Sequence, residues 1–117
     1  MATQKQIDWA DDIIATWKPH WDSAVAEHFD TIKKGVEGAA QKAADRGYSE
    51  ARTEKMIARY QAKVDAIIEA DKIMQSDIDP ITVIENRGVF QFPDLAQGLS
   101  TPDNLASDAQ RIVSTVG

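Results

Sequence analysis

Apolar residues recur every three to four positions along most of the chain, and that recurrence predicts helices rather than strands. Ile7, Ala10, Ile13, Ile14 and Trp17 keep the spacing behind a capping-box pattern, Thr3 with Gln6. A first helix is therefore expected over about residues 4 to 18. Pro19 suits the first turn of a helix better than its interior, so a second helix is expected to begin there and to run to Asp45. Its stripe contains Trp21, Val25, His28, Phe29, Ile32, Val36, Ala39 or Ala40, and Ala43. Gly35 and Gly38 weaken that helix, which predicts that another helix approaches closely at both. Arg46-Gly47-Tyr48-Ser49 then places a glycine after one helix and a serine cap before the next, the pattern of a tight helix-helix turn.

From Glu50 to about Gln75 the chain has no Gly or Pro and is rich in strong helix formers, so a third helix of about 39 Å is expected. Ile57, Tyr60, Val64, Ile67 and Met74 form a seam along it, interrupted at Asp71. Asp79-Pro80 reads as a cap and a first helical residue, followed by a short helix through Asn86 that ends at Gly88, although the β-branched residues of Ile81 to Ile84 would equally suit a strand. Val89-Phe90-Gln91-Phe92-Pro93 alternates like one short strand or an extended arm. Thr101-Pro102-Asp103 repeats the helix-start pattern, with Leu105, Ala109, Ile112 and Val113 as the apolar side of a terminal helix ending near Ser114. The expected architecture is a single all-α domain over residues 1–117, a compact bundle. Residues 1–75 form a three-helix core, and 76–117 a short helix, an arm and a C-terminal helix. The third helix would outlast the cover of a helix one ending near residue 18, which predicts a homodimer through the seam.

The length of 117 residues suits one core. With no cysteine, disulfides, thiolate nucleophiles and Cys-based zinc sites are excluded. Thirteen Lys and Arg against 19 Asp and Glu leave a formal charge of -6, which argues against generic binding to nucleic acid or anionic membranes. The N-terminus lacks the apolar stretch of a secretory signal and no segment approaches a membrane span, so a cytoplasmic protein is expected, in the host cytoplasm if phage-encoded. His20 and His28 are eight residues apart, about 12 Å along a helix, and neither has a second ligand three or four positions away. No metal site, cofactor or catalytic residue is nominated, because the phosphate-loop, dinucleotide, nucleophile-elbow and zinc-protease patterns are all missing from the sequence.

What remains is recognition chemistry. On the third helix, Arg52, Lys55, Arg59 and Lys63 share one face, a basic stripe of about 17 Å, apart from Glu54, Asp65 and Glu69. The stripe either docks an acidic surface or nucleic-acid backbone, or it faces the acidic flank of helix one, Asp8, Asp11 and Asp12, in the same fold or across a dimer. The second is favoured, since four charges on a net-acidic chain give little affinity for DNA. Trp17 and Trp21 belong to the apolar stripes and are expected in the core, and Phe90 and Phe92 are expected to cover it. Trp9 falls among carboxylates, where it is either an exposed binding anchor or a cover for the open end of the bundle.

The opening Lys5-Gln6-Ile7-Asp8-Trp9-Ala10-Asp11-Asp12-Ile13, with Ile84-Glu85-Asn86-Arg87 downstream, resembles a small helical domain of bacterial, phage and mobile-element proteins that opens with K-Q-[IV]-x-W-A-[ED]-x-I and later carries I-[DE]-N-R. Where that pattern has aromatic residues before I-[DE]-N-R, this chain has Thr82 and Val83. The resemblance implies a phage or plasmid setting, in which small acidic helical proteins act by binding a host protein. The function expected is thus non-enzymatic. The protein would cover a surface of a host partner such as a defence or nucleic-acid-processing complex, through Trp9 with Asp8, Asp11 and Asp12, or through the Arg52 to Lys63 stripe. The alternative is a nucleic-acid-associated accessory protein that uses the stripe.

Overall fold

The computed structural model describes residues 1–92, 95 and 97–117. Among the described residues, five helices have defined bounds: α1 (Gln4–Asp45), α2 (Glu50–Gln75), α3 (Pro80–Glu85), α4 (Arg87–Phe90) and α5 (Pro102–Thr115). Among the described residues there is no strand, so the all-α class holds. No described helix is long and apolar enough to cross a membrane.

The predicted first and second helices are one. α1 continues through Pro19 for 42 residues and runs the length of the molecule. Proline deprives the Ala15 carbonyl of its intrahelical donor, but Ala15 and Pro19 are both exposed, so water can satisfy that oxygen. Burial on the opposite side, at Ala10, Ile13, Trp21 and Ala24, holds the two halves in line. At the N-terminus the capping box forms as predicted: the Gln6 amide donates to Thr3 Oγ1 at 3.2 Å and the Thr3 amide to Gln6 Oε1 at 2.9 Å.

Helix α1 ends in a Schellman motif. The Tyr48 amide donates to the Ala43 carbonyl at 3.0 Å and the Gly47 amide to that of Ala44 at 3.1 Å, with Gly47 at φ 69°. Ser49 then caps α2, accepting from the Arg52 amide at 3.2 Å. The turn is too short for anything but an antiparallel return. Because α2 has 26 residues, it comes back only to the level of Trp21, where Trp21 Nε1 donates to Asp71 Oδ1 at 3.0 Å. The residue that interrupts the predicted seam is therefore the partner of the deepest indole. Gln75 extends the network, donating to Asp22 at 2.8 Å and to Asp71 at 3.3 Å.

The remaining chain covers what α2 leaves bare. Asp79 caps α3 by accepting from the Thr82 amide at 3.2 Å, and α3 and α4 pack on the N-terminal part of α1. The expected arm is a helical turn through Phe90 followed by an extended Gln91, and Gly88 lies inside α4 instead of ending α3. The last residue of that predicted segment, Pro93, lies outside the described residues. Phe90 and Phe92 are fully buried, and Phe92 sits 5.9 Å from Trp21, ring centre to ring centre. Helix α5, capped by Thr101, runs parallel to α2 from Asp103 beside Lys63 to Gly117 beside Ile73. It inserts Leu105, Ala106, Ala109 and Ile112 into the core.

Of the predicted seam, Val64, Ile67 and Met74 are buried under α1 and α5, with Ala70 beside them, while Ile57 and Tyr60 are half-buried. With α1 longer than α2, the uncovered length that pointed to a dimer does not arise. Beyond the start of α5, however, α1 and α2 run on alone for about 20 Å as a two-helix hairpin. Only Ala39 and Ala43 are buried there, since two helices without a third layer enclose only small side chains. The molecule measures 59 × 27 × 18 Å. The expectation of close helix approach at Gly35 and Gly38 is overturned, because a Cβ at either would meet nothing within 4 Å.

Pro19→Ala should raise stability by about 1–3 kcal/mol, and Gly38→Ala by about 0.5–1 kcal/mol, in urea denaturation. Loss of stability in either would place a neighbour where the structure has solvent. Asp71→Ala should lower stability by about 1–3 kcal/mol, because it strands a buried indole N–H. An unchanged midpoint would remove the Trp21 bond from the fold's main supports.

Candidate functional site

Two surfaces hold the predicted recognition residues, and they lie at opposite ends of the molecule. At the N-terminal end, Asp8, Trp9, Asp11 and Asp12 are exposed on α1. Trp9 is 47% exposed and lies under the Arg87 guanidinium, 5.4 Å from the ring centroid, while Arg87 also donates to the Ile84 carbonyl at 2.7 Å. It neither seals the bundle nor stands bare. Asp8 accepts from Gln4 at 2.9 Å, and Asp11 borders a cleft of about 250 Å³ with Asp77, Ile14, Ile78 and Val83.

The second surface is the side of the hairpin tip. Arg52, Lys55, Arg59 and Lys63 line a concavity of about 410 Å³, and the turn adds Arg46 to the same rim. Tyr48, Met56 and Tyr60 complete the lining, which contains no carboxylate. Spacing on α2 accounts for the four predicted cations, since steps of three and four keep them on one face. The Schellman turn accounts for Arg46 and Tyr48, which it folds back over the first turn of α2. Arg46 Nη1 donates to the Tyr48 hydroxyl at 3.4 Å, and the Arg52 guanidinium carbon lies 3.9 Å above the Tyr48 ring. Lys63 Nζ is 5.8 Å from the Tyr60 ring centre and 3.6 Å from the exposed carboxylate of Asp103.

Of the two forms of the favoured expectation, neutralisation of the stripe by Asp8, Asp11 and Asp12 in the same fold or across a dimer, the first is overturned. The antiparallel hairpin sets those residues about 30 to 46 Å away along α1. Among the described residues, Lys63 is the one member of the stripe with an acidic partner. Charge is thereby separated along the molecule. Residues 33–63 carry eight basic and four acidic side chains, a net +4, and the rest of the chain carries five basic and fifteen acidic, a net -10. With a screening length of about 8 Å at physiological ionic strength, the tip presents its own sign and not that of the whole chain.

Sequence reasoning missed Arg46, Tyr48 and Tyr60. The signal for the first two was present in the Gly47 and Ser49 turn, which determines that Arg46 and Arg52 meet around Tyr48. Tyr60 was assigned wholly to the seam, yet it is half-buried and lines the concavity. His20 and His28 do not converge on a ligand. His20 lies 6.0 Å from Trp17 between ring centres, and His28 Nε2 is buried, 3.7 Å from Glu27 Oε2. Among the described residues no group of three or more His, Cys, Asp or Glu side chains is placed to hold a metal. In comparisons with known protein families, curated proteins and solved structures, nothing matches this chain.

The hydrogen bond from Arg46, aided by the charge of Arg52, holds the Tyr48 phenol below the ordinary tyrosine range, and the same bond raises Arg46. A depressed phenol favours the folded state only once it ionises, so its contribution appears in alkaline solution and vanishes as pH falls through its folded value. Ultraviolet titration at 295 nm should show one phenol ionising early, and Arg46→Gln should return it towards the ordinary value. An early phenol that persists in Arg46→Gln would show that the Arg46 bond is not the cause.

Proposed function

We propose that this chain is a non-enzymatic interaction module that docks an acidic surface of a protein partner with the basic tip of its α1–α2 hairpin, and acts by covering that surface. One observation carries the reading: five cations open onto a single concavity that no carboxylate lines, on the part of the molecule that projects past the third helical layer. Arginine and tyrosine are among the side chains most enriched at interface anchors. Exposed cations facing an acidic patch also steer encounter.

A protein patch suits this tip better than nucleic acid. The tip reaches about 20 Å, while the body behind it carries -10 and repels a polyanion that extends further. The phage or mobile-element setting implied by the opening motif agrees with occlusion of a host protein, a defence or nucleic-acid-processing complex being the kind of target whose acidic face such a tip would cover.

Fluorescence anisotropy with a labelled oligoglutamate peptide and a single-stranded oligonucleotide of equal charge tests the reading. The wild type should bind the peptide, with affinity falling as salt rises, and the Lys55→Glu, Arg59→Glu variant should lose about tenfold or more. Equal binding by the variant would discard the tip. Tighter binding of the oligonucleotide would replace the protein partner by nucleic acid.

A further inference from the structure

We infer that the group read by the tip is a phosphate monoester on a side chain of the protein partner. This rests on the docking proposed above and names its chemistry. Three guanidiniums and two ammoniums surround about 410 Å³ of space, far more positive charge than one carboxylate can answer. A carboxylate brings one negative charge and two oxygens, enough for a single guanidinium fork. A phosphate monoester brings about -1.5 to -2 and three acceptor oxygens, and so can engage several donors at once.

Two of the guanidiniums are positioned before any ligand arrives. Tyr48 holds Arg46 through its hydroxyl at 3.4 Å and Arg52 against its ring at 3.9 Å, so one phenol fixes two forks on the same rim. Side chains ordered in advance lose less freedom on binding. Lys55 and Arg59 have no ion pair among the described residues. Lys63 shares its charge with Asp103, whose side chain is 90% exposed, and water weakens that pairing. The recess thus combines fixed forks on the turn side with uncommitted charges along α2. Met56 and Tyr60, both half-buried, give it an apolar wall for the stem of a phosphorylated residue.

Three labelled peptides of one acidic sequence, with Ser, phosphoserine or Glu at the centre, distinguish phosphate from charge in general. By anisotropy at physiological salt, the phosphoserine peptide should bind about tenfold or more tighter than the other two. Its advantage should grow from pH 5 to 7 as the second phosphate proton, with a pKa of about 6, is released. Arg52→Lys keeps the charge and removes the fork, and should shrink the ratio between phosphoserine and Glu peptides towards one. Equal affinity for the phosphoserine and Glu peptides would overturn the phosphate and leave acidic docking standing. No binding of any peptide would overturn both. An oligonucleotide that outcompetes the phosphoserine peptide would transfer the phosphate to nucleic acid and overturn the protein source.

Discussion

The register between α1 and α2 is the constraint on which the molecule depends. It is set at two places: the Gly47 turn, which reverses the chain within four residues, and the bond from Trp21 to Asp71, fifty residues apart in sequence. Between them the two helices have no freedom to slide. An indole buried to zero exposure would cost free energy if its N–H were left without an acceptor, and Asp71 of α2 supplies one. That register also decides which part of α1 remains for α3 and α4 to cover, and where α5 can lie against α2.

From the same register follows the distribution of charge. An antiparallel hairpin brings the end of α1 beside the start of α2, so the basic residues of both collect at the tip while Asp8, Asp11 and Asp12 stay at the far end. Helix α5 starts beside Lys63 and leaves the tip without a third layer. Small side chains seal the tip inside and long cationic ones surround it outside. A net-acidic protein thus carries a locally basic recess, and screening over a few ångströms makes the local sign the one a partner meets.

Local rules succeeded where the nearest neighbours in sequence decide the structure. Thr3, Ser49, Asp79 and Thr101 all cap the helices they were expected to cap, and Gly47 adopts the positive φ that its position requires. They failed at Pro19, Gly35 and Gly38. At Pro19 the expected break is overridden by packing on both sides of it, at the expense of one hydrogen bond on a solvent-facing edge. The two glycines face open space where close helix contacts are expected, and nothing in the structure explains them.

Much of the candidate site was legible for the same reason. The four cations of α2 share a face because helical periodicity alone puts them there, and the turn that adds Arg46 is written in Gly47 and Ser49. The helical class, the caps and the apolar faces were likewise determined within stretches of a few residues, where backbone conformation and side-chain direction are local properties. Whether the stripe would be neutralised was not a local property, because Coulomb interactions depend on distance in space and not on separation in sequence. Within one chain only the tertiary structure decided that: by joining two predicted helices through Pro19 and setting the register at Trp21, it carried the acidic flank of α1 away from the stripe of the same chain.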